Sequence, residues 1–143
     1  MTNFVLDEFL PYQLAVFSAR ISREFSKLYR EKFGISVAEW RVMAHLSQTD
    51  DAVSVREIHK RVDMDKSKVS RAASRLEKRG IIVKQVQEAD RRLVEMQLSQ
   101  RGQQMINELA PLAKTFERDY MERLGSTGPD FRRTIETLIA QQG

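Results

Sequence analysis

The segment from Asp65 to Gly80 is the part of the chain that most restricts what it can fold into. Its apolar residues recur with the i, i+3, i+4, i+7 spacing of a single buried helical stripe. Asp65 is a suitable N-cap, and Gly80 stands where a residue that ends a helix is favoured. The segment therefore predicts a helix that packs closely on its own domain through small side chains. The residues of the stripe are Val69, Ala72, Ala73 and Leu76.

The opposite face of this helix combines short hydroxyl side chains with long cations. They are Ser67, Ser70, Arg71, Ser74, Arg75 and Lys78. Hydrogen-bond donors and positive charge on one helical face suit the DNA major groove. We interpret the segment as a DNA recognition helix, and the alternative is a solvated charged surface of an ordinary helix.

The flanking sequence provides the context that a recognition helix requires. The pattern Ser54-Val55-Arg56-Glu57 is a capping box that opens a short helix before the polar turn at residues 63–65. Two short helices joined by a tight turn form a helix-turn-helix. After Gly80, residues 81–86 and 93–98 have strand character, with a charged tip at 87–92. We expect these to form a β-hairpin wing.

Both ends of the chain predict long amphipathic helices. One runs from about Pro11 to Phe33 and is followed by a shorter helix that opens with the capping box at Ser36. A long helix after Ser99 contains Pro111, residues 125–128 are predicted to be a loop, and a final helix begins near Pro129. Residues 3–10 add four large apolar side chains. A second copy of the chain is the simplest partner for these faces, which predicts a two-fold homodimer.

The predicted fold class is mainly α with a small β-hairpin wing, that is, a winged helix-turn-helix with long terminal dimerisation helices. We expect one domain over residues 1–143. Residues 1–35 and 99–143 would form the dimerisation region, and residues 36–98 the DNA-binding lobe.

Charge and composition narrow the function further. Twelve of the 24 Lys and Arg residues lie between Arg56 and Arg92, with only six of the 20 Asp and Glu, as expected for a surface that binds a polyanion. The chain contains no cysteine, which excludes disulfides and thiolate chemistry. It has no phosphate-binding loop, nucleophile elbow or zinc-protease motif, and His45 and His59 lack a carboxylate cluster at ligand spacing. We therefore expect that the protein is not an enzyme and binds no cofactor or metal. Because the sequence shows no signal peptide or membrane-spanning segment, we also expect a cytoplasmic protein.

Three motifs resemble the multiple antibiotic resistance regulator (MarR) family of bacterial transcription factors. The sequence Asp90-Arg91-Arg92, followed by Gln97-Leu98-Ser99-Gln100-Arg101-Gly102, is similar to the family's wing pattern, with Ser99 in place of the usual Thr. Residues 36–43 and the run from Ser67 through Gly80 also agree with the family. The resemblance implies a homodimer that binds a palindromic operator and usually represses transcription. It also implies a small, often aromatic or anionic, ligand between the dimerisation helices and the DNA-binding lobe.

The predicted DNA contacts divide by role. Major-groove contacts are assigned to Ser67, Lys68, Ser70, Arg71 and Arg75, and phosphate contacts to Lys66 and Arg56. Arg91 and Arg92 at the hairpin tip would enter the minor groove or follow the DNA backbone. By resemblance, Arg92 is the wing arginine and Asp90 holds the tip, although Asp90 also suits a simple turn.

The predicted effector pocket combines Phe17, Arg20 and Trp40. Trp40 is either a core residue or a ligand contact, and Arg20 either anchors an anionic effector or is a solvated surface residue. A competing function for the whole chain is a winged-helix module whose basic face binds an acidic protein. The hydroxyl-and-arginine face of the helix and the two-arginine wing favour DNA over that alternative.

Overall fold

The structure is a computed structural model that describes residues 3–90 and 94–142. The described elements are α1 (Leu10–Phe33), α2 (Val37–Leu46), β1 (Val53–Ser54), α3 (Val55–Val62), α4 (Lys66–Lys78), β2 (Ile82–Val86), β3 (Val94–Leu98), α5 (Gln100–Leu124) and α6 (Gly128–Gln142). Short 3₁₀ turns cover Leu6–Glu8 and Gly125–Thr127. The mainly helical fold with a small sheet confirms the predicted fold class. The residues form two compact units, one up to Leu109 and one from Ala110, and α5 contributes to both.

The helix starts follow the predicted capping chemistry, with one exception. At α2, Ser36 Oγ accepts from the Glu39 amide (3.1 Å) and the Glu39 carboxylate accepts from the Ser36 amide (3.2 Å), so this capping box is complete. At α4, the Asp65 carboxylate accepts from the Lys68 amide at 2.8 Å. At α3, Ser54 Oγ accepts from the Glu57 amide, but the Glu57 carboxylate meets the Ser54 hydroxyl. The second predicted capping box is therefore only half formed.

The end of α4 explains the need for Gly80. Gly80 has φ +72°, and its amide donates to the Glu77 carbonyl at 3.0 Å. The Ile81 amide donates to the Leu76 carbonyl at 2.9 Å, which completes a Schellman motif. Leu76 and Ile81 are both buried, as the apolar contact of this motif requires. The helix end thus directs the chain into β2 with its last carbonyls satisfied.

The wing belongs to a three-stranded antiparallel sheet with the order β1-β3-β2. β3 pairs along its length with β2, as predicted, and Met96 also faces Val53 of β1. The sequence analysis did not predict β1, since two residues are too few to show an alternating pattern. This short strand joins the start of α3 to the wing.

Ser99 and Gly102 join the wing and α5 to the end of α4. Ser99 Oγ donates toward the carbonyls of Gly80 (2.6 Å) and Ile81 (2.9 Å), and its amide donates to Ile81 at 2.9 Å. The Gly102 amide in turn donates to Ser99 Oγ at 3.1 Å. A Cβ on Gly102 would lie 2.3 Å from the Ile81 carbonyl oxygen, so glycine is required there for steric reasons.

The second unit pairs the end of α5 with α6. Arg132 on α6 forms an ion pair with Glu117 on α5 at 3.2 Å. The prediction of a loop at residues 125–128 is wrong. Gly125, with φ +59°, begins a 3₁₀ turn, and the Gly128 amide donates to the Gly125 carbonyl as α6 starts. Local hydrogen bonds therefore satisfy the backbone of this short connection.

The helices formed by residues 3–90 and 94–142 include none that is both long and apolar enough to cross a membrane.

We predict that Gly102→Ala destabilises the protein by about 1–3 kcal/mol, because the added methyl group must displace backbone. Urea denaturation followed by circular dichroism would measure the loss. Gly128→Ala is the control with a milder contact, since a Cβ there would lie 3.2 Å from Met121 Cε and 3.3 Å from the Met121 carbonyl oxygen, which needs only a small shift. Equal stability of the two variants would contradict the steric requirement at Gly102.

Candidate nucleic-acid interface

The structure places the predicted DNA-contacting side chains of α4 on its exposed face. The four residues of the apolar stripe are completely buried, which fixes the rotation of the helix on the lobe. The exposed residues are Lys66, Ser67, Lys68, Ser70, Arg71 and Arg75. They form a continuous surface of donors and cations that the lobe leaves accessible.

Lys84 on β2 adds a cation beside α4 that the sequence pattern did not reveal. Its ammonium group donates to Ser74 Oγ at 3.3 Å and lies 3.8 Å from the Glu77 carboxylate. Ser74 is half-buried as a result, and its hydroxyl is used within the protein. A strand-to-helix contact of this kind depends on sheet register, so no local pattern in the sequence indicates it.

Arg75 occupies the flank of α4 that faces α2. Its Nε lies 3.6 Å from the carboxylate of Glu39, whose side chain is only 8% exposed. This ion pair would have to rearrange for Arg75 to contact a base edge. Arg71 and Arg75 are both exposed on α4, and Arg75 is distinguished by this ion pair with Glu39.

The turn between α3 and α4 is tightly organised. Asp63 adopts the left-handed conformation with φ +52°, and His59 Nδ1 lies 2.5 Å from the Met64 carbonyl. Because a carbonyl only accepts, Nδ1 must carry the proton of this hydrogen bond. Arg56 is exposed in the first turn of α3, where it can reach a phosphate.

The two wing arginines, Arg91 and Arg92, lie outside the described residues. Asp90 immediately precedes them and is half-buried. Its assignment as a structural residue of the wing tip remains a prediction.

Trp40 belongs to an aromatic cluster with two residues of α1. Its ring stacks on Tyr29 at 5.4 Å and 17° and meets Phe25 edge-on at 5.2 Å. Burial raises the pKa of Tyr29. Phe17 and Arg20 lie earlier on α1, and Phe17 is about 12 Å along the helix from Phe25 at 1.5 Å per residue. Their role in an effector pocket remains a prediction, whereas the sequence analysis did not assign Phe25 or Tyr29 to the surroundings of Trp40.

An open cleft of about 400 Å³ lies beside Trp40. Its lining residues are Trp40, Arg41, Ala44, His45, Gln48 and Val62. Arg61 Nη1 lies 3.0 Å from His45 Nε2, so neutral His45 is the acceptor of this hydrogen bond. Burial is the largest cause of the lowered pKa of His45, followed by Arg61, and Glu57 opposes both. The cleft thus combines the aromatic ring of Trp40 with the cation of Arg41, a combination that suits a flat anion.

Among the described residues, no group of three or more His, Asp or Glu side chains is arranged to hold a metal ion.

Comparison with known proteins defines the class to which this site belongs. Residues 33–93 match the model of the MarR family. No curated protein matches the chain. A regulator from Silicibacter pomeroyi DSS-3, SPO1453, shares 23% identity with a TM-score of 0.84, covering 99% of this chain and 100% of that one. A MarR/EmrR family regulator from Acinetobacter sp. ADP1 shares 24% identity with a TM-score of 0.82, covering 97% of each chain.

A third solved structure is BpsR of Bordetella bronchiseptica, in a study of how 6-hydroxynicotinic acid regulates its DNA binding. It shares 21% identity with a TM-score of 0.82 and covers 99% of this chain and 97% of that one. At these identities the structural likenesses establish the winged-helix fold. The family-model match covers 61 of the 143 residues, from residue 33 to residue 93. This part of the chain is similar to the MarR family of winged-helix transcriptional regulators.

Proposed function

We propose that the chain is a cytoplasmic homodimeric repressor without enzymatic activity, which binds a palindromic operator and is released from it by a small ligand. The observation that carries this proposal is the exposed hydroxyl-and-cation face of α4, seated on a MarR-type lobe by a fully buried stripe. A recognition helix in the major groove reads bases mainly through residues near its N-terminus. Lys66, Ser67, Lys68, Ser70 and Arg71 occupy that half of α4.

Within this surface we assign different roles to individual residues. Arg71 is the main candidate for bidentate recognition of guanine, the commonest base-specific contact of arginine. Lys66 and Arg56 lie near the starts of α4 and α3, where cations suit DNA phosphates. Arg91 and Arg92 would extend the contact from the wing into the minor groove or along the backbone.

We predict that Arg71→Ala costs about 1–3 kcal/mol of binding to a preferred operator and relaxes sequence preference. The measurement is a fluorescence-anisotropy titration with a duplex selected by the protein from a randomised pool, alongside a scrambled duplex. Lys60→Ala is the control, since this exposed cation lies in α3 outside the proposed contact set. If affinity for both duplexes falls by the same factor, Arg71 contacts phosphate. If the wild-type protein prefers no duplex over random DNA, the proposed function is wrong.

Two sets of exposed apolar side chains support the homodimer. Near the N-terminus they are Phe4, Val5, Leu6, Phe9 and Leu10, and on α6 they are Phe131, Ile135, Leu138 and Ile139. Clusters of this kind on an otherwise charged protein mark interaction surfaces. We infer that each set is covered by a second copy of the chain, since a two-fold axis presents the same patches from each subunit.

We predict that Ile139→Glu weakens the dimer by about tenfold or more, because an unpaired carboxylate would be buried in an apolar interface. Ile139 is 67% exposed in the single chain, so the substitution should leave the fold of each subunit intact. Sedimentation velocity across a concentration series would measure the change. Gln141→Glu adds the same charge at an exposed position two residues away and serves as the control. An unchanged sedimentation profile for Ile139→Glu would exclude this face of α6 from the dimer interface.

The cleft beside Trp40 supports a ligand-responsive mechanism. The DNA binding of BpsR is regulated by 6-hydroxynicotinic acid, which is an aromatic acid. The cleft of the present chain offers an aromatic wall and the side chain of Arg41 to a ligand of that chemistry, and Arg61 is hydrogen-bonded to His45 of its lining. We infer that such a ligand binds between α2 and α3 and shifts the helix-turn-helix away from its DNA-binding arrangement.

We predict that a simple aromatic acid, such as salicylate or a hydroxynicotinate, changes the fluorescence of Trp40. Trp40 is the only tryptophan of the chain, so its emission reports on the cleft without labelling. Arg41→Gln should weaken the response, because it removes a cation from the cleft lining. Arg30→Gln removes an exposed cation of α1 and is the control. A response of equal size in both variants would place the ligand elsewhere.

A further inference from the structure

The C-terminal ends of α1 and α4 meet at the side chain of Arg79. The guanidinium of Arg79 donates to the carbonyl of Phe33 at 2.7 Å through one nitrogen and to that of Gly34 at 3.3 Å through the other. Phe33 is the last residue of α1, and Gly34 ends it in the left-handed conformation with φ +64°. The side chain of Arg79, at the end of α4, therefore forms hydrogen bonds with the main chain at the end of α1.

Elementary helix chemistry makes this contact favourable. The last carbonyls of a helix have no partner within the helix, and its C-terminus carries partial negative charge. Arg79 is itself the residue that ends α4, with φ −87° and ψ 0°. The end of α4 thus supplies the cation that pairs with the carbonyls at the end of α1. A guanidinium is planar and holds its N–H donors in fixed positions, so it suits two neighbouring carbonyl oxygens better than a lysine ammonium does.

Arg75 makes a second contact one turn earlier on the same flank of α4. Its ion pair is with Glu39, the residue that closes the capping box at the start of α2. Arg75 and Arg79 are four residues apart and therefore lie on one side of the helix. Together they hold the segment from Phe33 to Glu39, which connects α1 to α2. We call these two arginines and their acceptors the junction clamp.

Two residues of α5 contact the end of α1 as well. The Arg101 guanidinium lies 5.6 Å from the centre of the Phe33 ring, and Lys32 is 3.9 Å from the carboxylate of Glu108. The end of α1 is thus held by α4 through main-chain carbonyls and by α5 through side chains. Rotation of α4 on the lobe would have to break the hydrogen bonds from Arg79.

We propose that Arg79, assisted by Arg75, is a positioning residue that sets the angle between α4 and the dimerisation helix α1. This proposal rests on the proposed function, since the angle matters only if two copies present α4 to one DNA molecule. Half-sites in successive major grooves lie about 10 base pairs apart, so a tilt of each α4 changes the spacing that the dimer prefers. In this assignment Arg75 acts within the protein, in contrast to the base-contacting role predicted from the sequence.

The test is the preference of the dimer for half-site spacing. A palindromic duplex selected by the wild-type protein is rebuilt with one base pair inserted or deleted between its half-sites. The wild-type protein should prefer the original spacing. Arg79→Gln should reduce the ratio of affinities between the original and altered spacings by about threefold or more, because a charge-assisted hydrogen bond that fixes the angle is lost.

Three comparisons make the result decisive. Lys78→Gln removes the same charge at the neighbouring exposed position, so it should weaken binding to every duplex while keeping the spacing ratio. Arg79→Lys keeps the charge but loses the planar guanidinium, so it should give an intermediate spacing ratio. This variant also tests the proposal if Arg79→Gln does not fold. An unchanged ratio in Arg79→Gln, or an equal loss of preference in Lys78→Gln, would overturn the positioning role. A wild-type protein without any preferred duplex would instead overturn the proposed function together with the clamp.

Discussion

The carbonyl groups of Gly80 and Ile81 form the point at which the DNA-binding lobe is held together. They lie at the Schellman motif that ends α4, and both accept a hydrogen bond from the Ser99 hydroxyl. The Ile81 carbonyl also accepts a hydrogen bond from the Ser99 amide. One hydrogen-bonded centre therefore joins α4, both long strands of the wing and the start of α5. Gly102 lets α5 approach this centre closely, since any side chain there would overlap the Ile81 carbonyl.

This arrangement gives the two faces of α4 separate tasks. The buried stripe and the Schellman motif determine where the helix lies, and neither uses the exposed hydroxyls and cations. The exposed residues can therefore be selected for nucleic-acid chemistry without loss of stability. Arg75 and Lys84 occupy the margins of the exposed face, where their partners belong to the protein.

Much of the fold could be predicted from the sequence because it follows from local patterns. The buried stripe of α4, the caps at Ser36 and Asp65 and the alternation of β3 each lie within a few residues. β1 was missed because Val53 and Ser54 are too short a run to show a period. The contacts of Arg79 and Lys84 could not be predicted, since they join side chains to partners distant in sequence through packing alone. Trp40 lines the cleft, and the assignment of Phe17 and Arg20 to an effector pocket stays a prediction.

The acceptors of Arg79 are main-chain atoms, and this affects how the protein can diverge over evolutionary time. A side-chain partner can be lost by a single substitution, whereas the carbonyls of residues 33 and 34 persist whatever side chains replace Phe33 or its neighbours. Exposed residues of α1 that make no contact with α2 or α5 can therefore change, and new subunit partners can arise, while the hydrogen bonds from Arg79 persist. This interaction requires only that Arg79 is kept, together with Gly34, whose left-handed conformation ends α1.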